Sequence, residues 1–222
     1  MNWRYAVGEV LLIVIGVSIA LAANSWWEGR KARENERAML NQLQSALQID
    51  LQEFESLLKQ HLDQERDVIS LVEHMEGNEP YRQDMNPLFR SLRRWRGVAA
   101  NVSAYEALKS RGLDTITDDE LRNQIIYFYE EQAPSLTASS DNDRAFVTDR
   151  LNPYTDRHFV SIDPIRMEPL NYGALREDIY FRNLCMMKLF RLQNFILPTY
   201  QRTNKMIRDL IDAIDAELGV TD

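Results

Sequence analysis

Eighteen consecutive residues near the N-terminus, Ala6 to Ala23, read AVGEVLLIVIGVSIALAA and carry one charge, on Glu9. Extended to Trp27, this apolar stretch predicts a helix of roughly 33 Å, which is long enough to cross the hydrocarbon core of a bilayer. Aromatic rings flank the stretch where they would lie at the boundary between lipid and water. The expected interfacial anchors are Trp3, Tyr5, Trp26 and Trp27. We therefore predict a transmembrane anchor at residues 1–28.

A cleaved signal peptide is the competing interpretation of this stretch. Ala20-Leu21-Ala22 resembles the small-residue site that precedes signal cleavage. The carboxylate of Glu9 inside the apolar stretch, and the tryptophan pair beyond it, favour a retained membrane helix instead.

Polar and small residues fall on one side of the predicted membrane helix. At 100° per residue, Glu9, Gly16 and Ala20 share a stripe, with Asn24 at its margin. Small residues let a neighbouring helix approach closely, and polar residues find hydrogen-bond partners across the contact. We predict that these four residues form a contact face for another membrane protein or for a second copy of the chain. An acid within a membrane is also a candidate for proton transfer, so a relay at Glu9 is an alternative.

Residues 29–78 predict a long amphipathic helix, either a stalk or the first helix of a bundle. Its apolar residues follow spacings of three, four and four that recur every eleven residues, a period typical of a nearly straight helix. We favour packing within the chain over self-association, or a mixture of the two. The turn signal Gly77-Asn78-Glu79-Pro80 should end this helix. The predicted seam is Leu40, Leu43, Leu47, Leu51, Phe54, Leu58, Leu62 and Ile69.

Residues 79–222 predict a domain of further helices. Asn86-Pro87 has the pattern of a helix start, with Asn86 as N-cap, and Thr117-Asp118-Asp119-Glu120 has the pattern of a capping box, with Thr117 as N-cap. An irregular segment is expected at about 137–173, where prolines and polar clusters weaken the helical pattern. The fold class is thus all-α, with one transmembrane helix, a long amphipathic helix and a helical bundle.

The net charge of the chain and a cluster of arginines indicate which classes of partner it can bind. A net charge of −8 argues against nucleic acid as a partner, because phosphate contacts need a positive surface. Four arginines alternate with apolar residues and suggest binding of nucleic acid or anionic lipid. A solvated face paired with nearby carboxylates is the favoured interpretation. These arginines are Arg90, Arg93, Arg94 and Arg96.

Residue patterns typical of catalysis are missing from the sequence. The three histidines are scattered without metal-ligand spacing, and the eight glycines never cluster into a phosphate-binding loop. Cys185 stands in the apolar stretch LCMMKLF, where a buried small hydrophobic residue is expected rather than a nucleophile. We therefore expect no enzyme activity, no cofactor and no metal site.

The pattern across residues 5–28, from Tyr5 through Gly8-Glu9 and Ile15-Gly16 to Trp27-Glu28, resembles a family of uncharacterised bacterial single-pass membrane proteins. The resemblance implies architecture rather than activity: an anchor in the bacterial inner membrane and an exported domain. Counted within this sequence, the basic residues that follow the span favour a cytoplasmic domain. We lean towards the periplasm because of the resemblance. Weaker matches are Ser110-Arg111-Gly112-Leu113, Asp119-Glu120-Leu121-Arg122 and Phe181-Arg182-Asn183-Leu184.

These observations predict a membrane-anchored helical interaction or scaffold protein, an accessory subunit of a membrane complex. Its expected partners are the lipid bilayer and either another membrane protein or a second copy. One alternative is an ion-coupled accessory subunit that relays protons through Glu9. Another is a ligand-sensing domain outside the cytoplasm, with the segment at about 137–173 shaping the pocket.

Overall fold

The computed structural model describes the backbone of residues 3–219 and the side chains of residue 9 and residues 11–219. The described chain is helical nearly throughout, which confirms the predicted all-α class. A short antiparallel hairpin of β1 and β2 interrupts the helices. The helices are α1 Trp3–Glu76, α2 Asn86–Leu92, α3 Ser103–Arg111, α4 Asp119–Tyr127, α5 Ala133–Phe146, α6 Asn152–His158, α7 Tyr172–Glu177, α8 Ile179–Arg191 and α9 Leu197–Leu218, and the strands are β1 Phe159–Asp163 and β2 Arg166–Pro169.

The helix α1 is the central element of the domain. It continues through Gly29 without a break and ends at Glu76, just before the predicted turn. Helices α8 and α9 run antiparallel to it, since Arg37 bonds the carbonyl of Leu218 near one end of the contact and Glu76 bonds Arg182 at the other. Helices α2 and α3 also pack on α1. The predicted boundary at residue 28 lies inside this continuous helix, so a division of the chain there remains a prediction.

The buried stripe of α1 has a seven-residue period, so the predicted eleven-residue period is wrong. Buried positions alternate at spacings of four and three, the pattern of a helix that wraps gently around its neighbours. The prediction missed this stripe because polar side chains occupy several of its positions. From Leu43 onwards, the buried positions that follow this period are Leu43, Leu47, Asp50, Phe54, Leu57, His61, Gln64, Val68, Leu71 and Met75.

The predicted seam therefore agrees with the structure at its start and departs from it towards its end. Four of its residues are buried: Leu40, Leu43, Leu47 and Phe54. Leu51, Leu58 and Ile69 are half-buried. Leu62 is 39% exposed, because the true stripe passes through His61, one residue earlier.

The segment at about 137–173, expected to be irregular, is helical as far as His158 and then forms the hairpin. Proline misled the prediction. Pro134, Pro153 and Pro198 each stand in the first turn of a helix that follows directly on a π-helical turn. Proline clashes with the regular backbone of the preceding turn, and the wider π-helical turn accommodates it without ending the helix. The π-helical turns are Phe128–Gln132, Val147–Leu151 and Leu192–Ile196.

Two predicted helix caps are displaced by one residue. The N-cap of α4 is Asp118, whose carboxylate accepts the Leu121 N–H at 2.8 Å, rather than Thr117. Thr117 instead donates its N–H and its hydroxyl to the carboxylate of Glu36 on α1. Asn86 is the first residue of α2 rather than its cap, and its side-chain oxygen accepts from the Tyr81 hydroxyl at 2.8 Å. In both places a hydrogen bond to a residue outside the helix occupies the side chain that the sequence pattern assigned to a cap.

Candidate functional site

The N-terminal part of α1 is exposed on all sides. Every described side chain from Leu11 to Asn35 is exposed, including Ile19 and Trp27 at more than 60% of their surface. The most apolar eighteen-residue window of the helix has a mean hydropathy of 1.5 and none of it is buried. This helix is long and apolar enough to span a membrane. Uniformly apolar helix surface of this kind needs a covering, because soluble proteins rarely expose such large patches.

The predicted contact face lies on this exposed helix. Glu9 and Ala20 are exposed, and a Cβ atom added at Gly16 would meet no atom within 4 Å. The amide of Asn24 donates to the Glu28 carboxylate, one turn further along, at 2.8 Å. Of the predicted interfacial anchors, Trp26 and Trp27 are exposed. The side chains of Trp3 and Tyr5 lie outside the described residues.

An uncharged groove lies between α1 and α3. Three of the α1 residues that line it, Asn41, Ser45 and Ile49, are exposed. The groove has a volume of about 510 Å³ and an entirely uncharged lining, although more than a quarter of the chain is charged. Its lining residues are Asn41, Gln42, Ser45, Ala46, Ile49, Asn101, Ser103, Ala104 and Ala107.

Residues 93–102, which we name the strap, connect α2 to α3 without regular secondary structure. Side chains of three helices bind its backbone in place of a helical or sheet ladder. From α1, the Gln64 amide donates to the carbonyls of Ser91 and Arg94, at 2.6 and 2.7 Å. From α8, the Lys188 ammonium donates to the same Arg94 carbonyl at 3.0 Å. Buried backbone groups need such partners, so these polar side chains fix the first half of the strap.

The second half of the strap is held in the same way. The Ser140 hydroxyl donates to the Arg96 carbonyl at 2.5 Å. The Asn101 N–H donates to both carboxylate oxygens of Asp50, at 2.9 and 3.1 Å. Burial raises the pKa of Asp50 to about 6, although the Asn101 N–H lowers it. The strap is thus fastened at intervals to α1 and α5 by buried side chains.

A buried ion pair lies beneath the strap. Lys188 donates to both carboxylate oxygens of Asp143, at 2.8 and 2.9 Å, and both side chains are almost fully buried. Burial lowers the pKa of Lys188, and the Asp143 carboxylate opposes that effect. His61 lies close by, with its ring centroid 5.1 Å from that of Tyr200. Because solvent does not reach Lys188, this network acts on the strap rather than on an outside ligand.

A cleft of about 540 Å³, which we name the arginine cleft, opens above this network. The end of α2 and the strap supply most of its lining, and the turn of the β1–β2 hairpin closes one side. An Asp163 carboxylate oxygen accepts the Ile165 N–H at 2.9 Å and so shapes that turn. The cleft is lined by Arg90, Arg93, Arg94, Trp95, Arg96, Gly97, Pro164 and Ile165.

The four arginines of the cleft differ in their partners. Arg93 and Arg94 pair with the carboxylates of Asp156 and Asp67, at 2.7 and 3.3 Å, as expected for a face with local counter-charges. Arg90 and Arg96 have no carboxylate within salt-bridge distance in the part of the chain that the structure describes. The prediction that local carboxylates pair the basic face is therefore right for two arginines and wrong for the other two.

Several residues that position these sites escaped the sequence analysis. Asp50, His61 and Gln64 are polar, so a search for apolar periodicity passed over them, although their seven-residue spacing with leucines was a usable signal. The pairing of Lys188 with Asp143 joins residues far apart in the chain and left no local signal. Cys185 is fully buried, which confirms the prediction of a buried side chain at this position. Burial raises the pKa of its thiol.

Comparison with known proteins gives one match. Residues 9–92 are similar to a family of unknown function, DUF6090. The matched range covers the exposed apolar helix, the rest of α1 and α2, and it ends before the strap. No curated protein and no solved structure matches the chain. A likeness to a family of unknown function is thus shown for residues 9–92. The signature at residues 5–28, the bacterial origin and the membrane setting remain predictions.

Proposed function

We propose that this chain is a membrane-anchored helical interaction or scaffold protein, an accessory subunit of a membrane complex without catalysis of its own. One observation carries the proposal. From Leu11 to Trp27 the helix α1 exposes apolar side chains around most of its circumference, and from Glu36 onwards it is the central helix of the folded domain. A lipid bilayer is the covering that suits a helix with so much exposed apolar surface.

The helix would hold the domain at a fixed distance from the membrane. Between Trp27 and Glu36 the helix continues through a polar, mostly charged stretch whose side chains are all exposed. This stretch is about 13 Å long. It includes the ion pair of Arg30 with Glu34, at 3.0 Å, which supports the helix between residues four positions apart. The domain would thus stand close to the lipid surface on a continuous helix.

The proposed contact with a partner begins inside the membrane. The face of Glu9, Gly16, Ala20 and Asn24 would bind the helix of another membrane protein or of a second copy, since small and polar residues favour such contacts. The uncharged groove between α1 and α3 is a second surface that suits a partner, because an interface centre is typically depleted of charge. A partner that binds both surfaces would extend from the membrane onto the domain.

The setting that we propose is the bacterial inner membrane, with the domain in the periplasm. The support for this side is the sequence resemblance described above. A reporter fused after Asp222 tests the side directly, because alkaline phosphatase is active only when exported. Activity of a cytoplasmic reporter at the same position would place the domain in the cytoplasm instead.

Extraction of membranes at alkaline pH tests the anchor. We expect the full chain to stay in the membrane pellet and a variant with Ile15→Asp and Ile19→Asp to leave it, because each acid at a helix centre opposes insertion by about 3 kcal/mol. The matched control carries Ile49→Asp and Leu62→Asp, the same chemical change at exposed positions of the domain. The control should remain in the pellet. Release of the unmodified chain would contradict the proposed anchor.

A photo-crosslinking amino acid tests the contact face. Placed at Ala20, it should form an adduct with a second copy or another membrane protein. Placed at Leu21, which is rotated by about 100° around the helix, it should form far less. Equal adducts at the two positions, or none at Ala20, would show that the predicted face is not the contact.

A further inference from the structure

We infer that the arginine cleft binds an acidic segment of a partner protein, whose Asp or Glu carboxylates pair with Arg90 and Arg96. The inference deepens the proposed function and rests on it, since it assumes that the domain binds a partner. It goes beyond the membrane contact face, because the cleft lies at the other end of α1.

The two guanidinium groups are oriented but not neutralised. Arg90 donates its Nε–H to the carbonyl of Pro164 at 2.9 Å, and Arg96 donates its Nε–H to the side-chain oxygen of Gln60 at 2.9 Å. Arg96 also donates from Nη1 to the Trp95 carbonyl at 3.3 Å. Each guanidinium still keeps at least one terminal amino group for another acceptor. Arginine binds carboxylates through two parallel N–H···O bonds, so these groups suit a carboxylate ligand.

The backbone that carries Arg96 is held in place before any ligand arrives. The carbonyl groups of Arg94 and Arg96 point inward to buried donors, the first to Gln64 and Lys188 and the second to Ser140. These bonds turn two of the strap's carbonyl groups inward, so their partial negative charges do not face an anion in the cleft. A site that is ordered in advance loses less entropy on binding.

Apolar side chains beside the arginines favour a peptide over a bare anion. Ile165 is 68% exposed at the edge of the cleft, and Trp95 is 36% exposed. The Arg144 guanidinium lies 5.7 Å from the Trp95 ring and supports its position. Tryptophan and arginine dominate binding energies at protein interfaces, where apolar contacts accompany the charge pairs. An acidic segment that also carries apolar residues matches this lining.

The position of the cleft along α1 disfavours a lipid headgroup as its ligand. Arg96 bonds to Gln60 of α1, which lies about 50 Å along the helix axis from Trp27 at the end of the apolar stretch. Electrostatic attraction between exposed charges decays over about 8 to 10 Å at ordinary salt concentrations. Headgroups at the near surface of the proposed membrane are therefore out of reach, and a protein segment is not.

A peptide-binding experiment tests the inference on the full chain in neutral detergent micelles. The probe is a fluorescein-labelled hexaglutamate peptide, followed by fluorescence anisotropy, with hexaglutamine as the uncharged comparison. We expect saturable binding of hexaglutamate that weakens with added salt. The variant with Arg90→Gln and Arg96→Gln should bind at least tenfold more weakly. The control with Arg150→Gln and Arg202→Gln makes the same change in net charge at exposed positions and should bind within twofold of the original chain.

A second variant tests the same site without touching its arginines. Ile165→Asp places a carboxylate at the edge of the cleft on an exposed turn, so it should weaken binding at least fivefold while leaving the helical circular dichroism unchanged. Absence of saturable binding would overturn the inference, as would equal weakening by the Arg150 and Arg202 control. Stronger binding of inorganic pyrophosphate, with displacement of the peptide, would overturn it in favour of a phosphate ligand. None of these outcomes depends on alkaline extraction, so the anchor and the cleft can fail separately.

Discussion

One buried histidine should make the domain sensitive to acid. His61 lies on the buried stripe of α1 and is 4% exposed. Its burial is the main cause that lowers its pKa to about 4, and the positive charge of Lys188 and, to a smaller extent, of Arg96 act in the same direction. The carboxylate of Asp143 opposes them without cancelling them. The folded chain therefore holds this ring neutral at a pH where an exposed histidine would be charged.

The sign of the effect follows from proton binding by the two states. Between pH 6.5 and about 4, the unfolded chain binds a proton at His61 that the folded chain does not, so stability falls as the pH falls. Between pH 7.5 and pH 4.5, the lowered pKa of His61 therefore reduces the free energy of unfolding by about 2.5 kcal/mol. Asp50 acts in the opposite direction. Its folded pKa of about 6 lies above the ordinary value of 3.8, so acidification across that interval favours the folded state.

Comparison with His61→Phe separates the effect of His61 on stability from that of Asp50. This variant keeps an aromatic ring beside Tyr200 and leaves Asp50 unchanged. Thermal unfolding of the full chain in detergent micelles, followed by circular dichroism from pH 7.5 to 4.5, gives the stability of each protein. We expect the original chain to lose about 2.5 kcal/mol more than the variant over this interval. The exposed His158→Phe is the control and should follow the original chain. Parallel profiles for the original chain and His61→Phe would refute the reasoning.

Two further predictions concern packing and charge in the domain, and both use the same unfolding measurement at pH 7.5. Leu47→Ala should destabilise the domain by about 2 to 5 kcal/mol, since Leu47 is fully buried. Leu62→Ala should destabilise it by less than about 1 kcal/mol, since Leu62 is 39% exposed. Similar losses of stability in the two variants would support the eleven-residue seam. Lys188→Met should cost about 3 to 5 kcal/mol because it leaves the buried Asp143 with only the Arg191 guanidinium, 3.9 Å away, to balance its charge. Adding Asp143→Leu should recover part of that loss. Further destabilisation on adding Asp143→Leu would contradict this explanation.

The sequence by itself determined the apolar N-terminal helix, the all-α class and the end of α1 before Gly77. These features depend on neighbouring residues, because helix propensity, hydrophobic length and turn signals act within a few turns of chain. The start of the buried seam, at Leu40, Leu43 and Leu47, was predictable for the same reason. The spacing of Glu9, Gly16 and Ala20 likewise places them on one side of the helix. That this side is a contact face remains a prediction.

Only the tertiary structure decided which polar residues are buried and what they bind. Asp50 and Gln64 occupy positions on the buried stripe that sequence reasoning reserves for apolar side chains, because the strap supplies backbone partners from more than 25 residues away. The pairing of the cleft arginines was decided in the same way: Asp156 and Asp67 reach Arg93 and Arg94, and no carboxylate of the described residues lies within salt-bridge distance of Arg90 or Arg96. A buried polar group is tolerated only with a hydrogen-bond partner, and which partner reaches it depends on how distant segments pack.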